Sequence, residues 1–410
     1  MVRSCPIAFL KEIVYQHAMT ALNYTTQLMS IPSVTPKSEA DAPAISATLD
    51  LLESWLKPMG FACHRIKSGH VDNLYARFGT ASPHISFAGH VDVVPPGDLS
   101  TWVSPPFAPE VREGMLYGRG AVDMKGAIGS FMAALERYLG DVPSPNGSIS
   151  VLITGDEEGP ATDGTVKVLD WLRAHHEQID GCIVGEPTNP MKLGEMIKHG
   201  RRGSETFWLT VEGVQGHVAY PQLAKNPISS LVKMLSALET YKLDDGTEFF
   251  DPSNLVLTSV DVGNPTANVI PGAAKAQFNI RFNDMHTADS LKQWVIKSIE
   301  SAAPGVTYEL KARCSAQPFI TPPGKLSDLL TQAIIDTLGV VPELSTTGGT
   351  SDARFIKDIC PVIEFGLINQ TAHKANEHVS VQALEDLASI YVAFLSAWFE
   401  PSEHKAHDEL

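Results

Sequence analysis

Five short stretches hold the side chains that can do chemistry. His90 and Asp92 stand two residues apart at the end of an apolar run. In a strand, residues i and i+2 point the same way, so the two share a face. A carboxylate beside an imidazole fixes its tautomer and raises its basicity, the usual support for a metal-bound histidine. Asp123 follows the glycine-rich turn Gly118-Arg119-Gly120, which leads into a helical pattern. Asp156, Glu157 and Glu158 are consecutive acids just past a second apolar run. Glu186 follows a third, and His373 heads the stretch HKANEH that also contains Glu377 and His378.

The five stretches offer imidazole and carboxylate and no thiolate. That donor set suits zinc or cobalt in a catalytic site. Three adjacent acids repel one another unless a cation is near. Glu157 and Glu158 can divide labour, one binding metal and the other moving protons. Each stretch alone reads most simply as solvated surface; five in one frame do not. Other chemistries lose support. Gly118-x-Gly120 is not followed by a glycine three residues on, so the dinucleotide fingerprint fails. The chain has no phosphate-binding G-x-x-x-x-G-K-[ST], no H-E-x-x-H and no G-x-S-x-G.

The elements that must position these residues follow from periodicity. A helix over 43–56 places Ile45, Leu49, Leu52 and Leu56 on one face. Strands are predicted at 84–88, 148–154 and 181–185, with helical spacing of Ile128, Phe131, Met132, Leu135 and Leu139 between the first two. Alternating strands and helices argue an α/β domain around a mainly parallel sheet. In such sheets ligands bind outside the carboxyl ends of the strands, where all five stretches fall. From 205 the pattern changes to β-α-β-β-α-β, the ferredoxin-like order. Its strands are predicted at 205–211, 255–262, 273–282 and 306–312. Asn226-Pro227 opens its first helix, with Ile228, Leu231, Val232, Leu235 and Leu238 inward. Its second helix carries Leu291, Trp294, Val295 and Ile299. Pro318, Pro322 and Pro323 mark a linker, followed by a helix at 325–338, a strand at 361–365 and a helix at 381–399. The expected organisation is a discontinuous catalytic domain, 1–202 and 317–410, interrupted by an inserted domain at 203–316.

The 410 residues are 43% hydrophobic and 19% charged, an ordinary globular composition. With 31 basic and 47 acidic residues the net charge is −16, which disfavours nucleic acid or an anionic membrane as partner. A small anionic substrate stays open, provided a few arginines are gathered locally. The five cysteines are scattered, odd in number and without a C-x-x-C pair, so a reducing, cytoplasmic compartment is expected. The apolar patch Pro6–Leu10 is too short for a signal peptide, and no apolar run is long enough to span a membrane. The closing His407-Asp408-Glu409-Leu410 spells a retention tail, read as coincidence without a signal peptide.

The motifs GHVDVV (89–94), GRGAVDMKG (118–126), TGDEEG (154–159), VGEPT (184–188) and HKANE (373–377) resemble the co-catalytic metallo-aminoacylase and carboxypeptidase family. Finer motifs resemble its branch acting on N-succinyl-diaminopimelate: KHGRRGS (198–204), GVQGHVAYPQLAKNP (213–227), PTANVIPG (265–272) and TTGGTSDARFI (346–356). The resemblance runs from about Thr20 to Ala397. It implies hydrolysis of the succinyl amide by two zinc ions per subunit, cobalt substituting in one site. His90 and Glu186 would complete one metal site, Glu158 and His373 the other, with Asp123 bridging both through a cis bond to Met124. Asp92 would orient His90, and Glu157 would be the general base. His217 would hold the tetrahedral oxyanion, reaching the partner subunit's site in a homodimer through the inserted domain. Arg201, Ser204, Tyr220, Asn268, Arg281, Gly349 and Thr350 would bind the anionic substrate. Two other readings compete: a related deacylase or carboxypeptidase acting on acetylornithine or a peptide C-terminus, and a non-catalytic scaffold that kept the fold. The GRRGS and GGTSDARF stretches argue against the first, and the presence of Glu157 argues against the second.

Overall fold

The computed structural model describes residues 19–400. Cys5, the patch Pro6–Leu10 and the tail 407–410 lie outside them. In chain order the strands of the two main sheets are β1 (Ala62–Ser68), β2 (Val71–Phe78), β3 (His84–His90), β4 (Ser148–Thr154), β5 (Gly181–Val184), β6 (Met196–Lys198), β7 (Gly203–Glu212), β8 (Asn254–Asp261), β9 (Ala273–Phe282), β10 (Tyr308–Ala316), β11 (Glu343–Ser345) and β12 (Val362–Glu364). The main helices are α1 (Ala21–Met29), α2 (Ala42–Leu56), α3 (Lys125–Asp141), α4 (Thr165–Ala174), α5 (Pro227–Glu239), α6 (Ala288–Ala302), α7 (Lys325–Leu338) and α8 (Val381–Phe399). None of the described helices is long and apolar enough to cross a membrane.

The chain forms two compact units. Among the described residues, one comprises those up to His199, Thr321–Leu344 and those from Ser351 on; the other comprises Gly200–Ile320 with Ser345–Thr350. In the first, eight strands run in the order β1-β2-β4-β3-β5-β12-β6-β11. The centre is parallel: β4 with β3, β3 with β5, and β5 with β12. The flanks are antiparallel, β1 with β2, β2 with β4 and β12 with β6. The sheet is therefore mixed, where a mainly parallel one was expected. Between β1 and β2 the connection, the Gly69–His70 turn, is too short for a crossover. β3 and β4 are buried at every residue, as central strands covered on both faces should be. Stacked Phe87 and Phe131, with Tyr391 edge-on to both, join β3, α3 and α8 in one core.

In the second unit β8-β9-β7-β10 form a fully antiparallel sheet, the ferredoxin-like order. Phe207, Leu209, Val211, Phe278 and Ile280 face α5 and α6, packing on Leu231, Met234, Val295 and Ile299. Asn226 caps α5 by accepting from Ile228 N–H, and Thr287 with Ser290 forms a capping box on α6. Val232, expected inward, is 59% exposed; Met234 takes the buried position, because the helix buries the face set by Leu231, Leu235 and Leu238. The last strand starts at Tyr308 and not at Val306. The proline-marked linker is not free chain: Phe319 and Ile320 pair with Arg201 and Gly200. Thr346 Oγ1 donates to Phe249 O at 2.6 Å and Arg201 Nη1 donates to Thr347 O at 3.1 Å. These bonds tie residues 345–350 to this unit, although their neighbours in sequence belong to the other.

Candidate metal centre

The site lies at the carboxyl ends of β3, β4 and β5 in the first unit. His90 ends β3 and is buried. Its Nδ1 pairs with the carbonyl oxygen of Asp92 at 2.8 Å. That contact fixes the tautomer and leaves Nε2 for the site, 3.1 Å from Asp123 Oδ1 and 3.7 Å from Glu186 Oε1. The Asp92 carboxylate stands farther off, 3.7 Å from Nδ1. It accepts instead from the backbone N–H of Glu157 at 3.2 Å and of Glu158 at 3.0 Å. Asp92 thus aims the acid pair with its side chain and His90 with its backbone, where the sequence suggested the carboxylate alone.

Asp123 closes the glycine-rich turn before α3, and its bond to Met124 is cis. Gly118 has φ 148° and Gly120 has φ 83°, conformations that favour glycine. A Cβ on Gly118 would come within 2.7 Å of Met29 Cε. The turn is held from outside by Glu377. One of its carboxylate oxygens accepts from Gly120 N–H at 2.9 Å and Arg119 Nη1 at 2.7 Å; the other accepts from Val122 N–H at 2.8 Å and Asp123 N–H at 3.1 Å.

Asp123 divides its two oxygens between two histidines. Oδ1 faces His90 Nε2 and Oδ2 lies 3.1 Å from His373 Nε2. His373, at φ 61°, also lies 2.7 Å from Glu158 Oε1. Three overlapping groups converge, each with donor atoms within 4.8 Å of one another: His90, Asp123 and Glu186; Asp123, Glu158 and His373; His90, Glu157 and Glu158. His378 is not among them. Its ring packs 4.8 Å from Tyr117 and its Nδ1 pairs with Asn376 O.

Electrostatics mark the cluster as built for cations. Burial alone would lower His90, but Asp123, Glu186 and Glu157 raise it well above the usual imidazole range. Hydrogen bonds to Asp123 and Glu158 push His373 up to about 10. Asp123 is held well below the carboxylate range by His373 and His90, against the opposing effect of burial. Burial and the neighbouring Glu186 push Glu157 well up. Protons on the imidazoles stand where a doubly charged ion would serve the acids better, so the donor set fits two divalent metals sharing Asp123.

Two residues of this region carry no signal in the sequence. Glu377 was noted only as a neighbour of His373, and nothing in its spacing announces the distant turn it clamps. Asp352, inside the quoted GGTSDARF stretch, is buried and faces the same small cavity as His90, Glu157 and Glu186. Burial pushes its carboxyl up.

The residues assigned to substrate lie in the second unit. His217 pairs with Val269 across a two-residue ribbon and stands 5.7 Å from the Tyr220 ring; Asn268 O accepts from Val218 N–H. Ala219 N–H donates to His217 Nδ1 at 3.0 Å. Ser204 and Arg281 are register partners on β7 and β9. Gly349 and Thr350 belong to the 345–350 segment, to which Arg201 bonds at Thr347 O.

The chain belongs to Peptidase family M20/M25/M40, whose model matches residues 86–397. It is similar to the succinyl-diaminopimelate desuccinylase of Rhodospirillum centenum, 53% identical over 92% of this chain and 96% of that protein. It is likewise similar to the succinyl-diaminopimelate desuccinylase of Parvibaculum lavamentivorans, 51% identical over 92% of this chain and 95% of that one. Among solved structures the fold matches an M20 family metallo-carboxypeptidase from Sulfolobus solfataricus, with TM-score 0.74, 18% identity, and 92% and 99% of the two chains covered. It also matches a Bacillus subtilis protein described as a dinuclear metal binding peptidase, with TM-score 0.66, 16% identity, and 92% and 96% covered.

The raised imidazoles set the sign of a pH effect. His373 gains its proton in the metal-free fold, so its contribution to stability is full below about 6.5 and is lost as pH rises through about 10. A metal must displace that proton. Zinc binding to the metal-free protein at pH 7.5 is expected to release at least one proton and to tighten as pH rises. Calorimetry in buffers of different ionisation enthalpy reads this directly. Proton-neutral binding would show that neither His90 nor His373 carries a displaceable proton in the metal-free protein.

Proposed function

We propose that this chain is an amide hydrolase that cleaves N-succinyl-LL-2,6-diaminopimelate to succinate and LL-2,6-diaminopimelate, a step of lysine and cell-wall precursor biosynthesis. The observation that carries this is the division of Asp123 between His90 and His373, with Glu157 beside both groups. Relatives bearing that activity in their names, at half identity over nearly the whole chain, support the substrate.

His90, Asp123 and Glu186 would hold one divalent ion, and Asp123, Glu158 and His373 the other. Zinc is proposed for both, with cobalt able to replace it in one. Such ions supply an acidified water and polarise the amide carbonyl. Glu157 takes the proton from the attacking water at its carboxylate. Its burial beside Glu186 raises its proton affinity, which suits it to hold that proton. It then delivers the proton to the leaving amine nitrogen. Asp92 keeps the Glu157 backbone in place through this exchange. His217 donates to the tetrahedral oxyanion. Arg281 and Arg201, with Ser204, Tyr220, Asn268, Gly349 and Thr350, receive the substrate's anionic groups, where guanidinium forks match carboxylates. The working form is proposed to be a cytoplasmic homodimer, each subunit lending its His217 to the partner's site.

Two experiments test this. Glu157→Gln is expected to keep fold and zinc content while losing at least ~10²-fold in rate on the succinyl substrate, the usual share of acid–base catalysis. Near-full activity, or loss of zinc, would remove Glu157 from that role. His217→Ala and Glu157→Gln homodimers should each be almost inactive. After verified subunit exchange their mixture should recover about a quarter of wild-type activity, since half the dimers are mixed and each has one intact site. Activity that stays at background would mean that His217 serves its own chain.

A further inference from the structure

The face of the second unit's sheet that points away from α5 and α6 has an unusual make-up for a chain of net charge −16. Along β7 the side chains alternate: Phe207, Leu209 and Val211 are buried against the helices, so Ser204, Thr206 and Trp208 line the other face. Their register partners on β9 are Arg281, Asn279 and Gln277, and Thr206 also sits opposite Arg313 on β10. Two arginines therefore flank a pair of hydroxyls, with Asn279 between them.

Asn279 makes one distinctive arrangement. Its Nδ2 donates to Ser204 Oγ at 3.1 Å and to Thr206 Oγ1 at 3.0 Å. Both amide protons are spent on hydroxyl oxygens. A hydroxyl has one proton to give and two lone pairs to receive with. Each hydroxyl here uses a lone pair on Asn279, so its own proton stays available. The effect is a pair of oriented O–H donors beside a half-buried guanidinium. Arg281 is half-buried, and burial together with nearby Arg202 holds it below its usual range. Paired donors next to such a cation suit a carboxylate, whose two oxygens accept and never donate.

We propose that Asn279 is a positioning residue that turns Ser204 and Thr206 into paired donors, and that Thr206 is a further contact to a substrate carboxylate, extending the Ser204–Arg281 subsite. This rests on the desuccinylase reading, and on its placement of substrate against Ser204.

The test compares Asn279→Asp, Thr206→Val and Ser204→Ala on N-succinyl-diaminopimelate, with succinate as a competitive probe. An aspartate at 279 accepts only, so both hydroxyl protons would turn inward towards it. Asn279→Asp and Thr206→Val are each expected to raise KM, and the inhibition constant for succinate, by about tenfold or more, the scale of one hydrogen bond to a charged group. Changes in kcat should stay within about twofold, the pattern of lost ground-state binding, with melting temperature and zinc content unchanged. A Thr206→Val enzyme with wild-type KM, beside a Ser204→Ala enzyme with raised KM, would overturn this inference and leave the desuccinylase reading standing. So would losses in kcat and melting temperature with KM unchanged, which mark a structural role. Wild-type KM in Ser204→Ala as well would remove substrate from this face, and the parent placement with it.

Discussion

A single buried carboxylate, that of Glu377, holds together two parts of the metal centre that lie about 250 residues apart in sequence. It is fully buried and accepts four hydrogen bonds, three from backbone amides of the Gly120–Asp123 turn and one from the Arg119 guanidinium. It stands four residues from His373. One group thus joins the loop carrying the shared aspartate to the loop carrying the last histidine. Removing it would strand a buried guanidinium and three amides, each of which costs free energy when left unpaired. Arg119 is held in turn by Lys374 O at 3.3 Å and lies 5.3 Å from the Trp102 ring. Asp92 plays the matching part on the other side, joining the end of β3 to the Glu157–Glu158 loop. Two acids outside the proposed ligand set fix the geometry of those inside it.

Charge is sorted between the units. The first gathers His90, Asp123, Glu157, Glu158, Glu186 and Asp352 into one region, an arrangement that repels itself unless protons or metal ions are present. The second turns Arg281 and Arg313 to one face of its sheet, beside hydroxyl and amide donors. Groups that suit cations and groups that suit anions thus lie in different units. An overall charge of −16 is compatible with an anionic substrate only on those terms.

The sequence disclosed what depends on local period. α3, α7 and α8 were legible from apolar spacing, β4 and β9 from their runs, and α5 from Asn226-Pro227. The ferredoxin-like order of the second unit was legible too, because it follows from element order alone. Strand direction in the first sheet was not: only β1 and β2 are joined by a short turn, while β2 pairs with β4 and β6 with β12 between segments far apart in sequence, which a periodicity does not display. Val232 was misplaced because a helical stripe of five apolar residues is wider than the face the helix buries. At the metal centre the five stretches were legible as donors, and the resemblance points to His373; His378 instead packs on Tyr117, while His373 lies beside Asp123 and Glu158. Glu377 and Asp352 stayed hidden because their roles exist only between segments far apart in sequence. Asp92 was half legible: its neighbourhood to His90 was in the spacing, but its hold on the Glu157 and Glu158 amides was not.

The central claim is that Asp123 is shared between two metal ions. Anomalous diffraction at the zinc absorption edge, from crystals of the full chain grown with zinc, tests it most directly. Two peaks about 3.5–4 Å apart are expected, one beside His90 and Glu186, the other beside Glu158 and His373, with one Asp123 oxygen on each. A single peak, or a second peak at His378 or away from Asp123, would contradict the account.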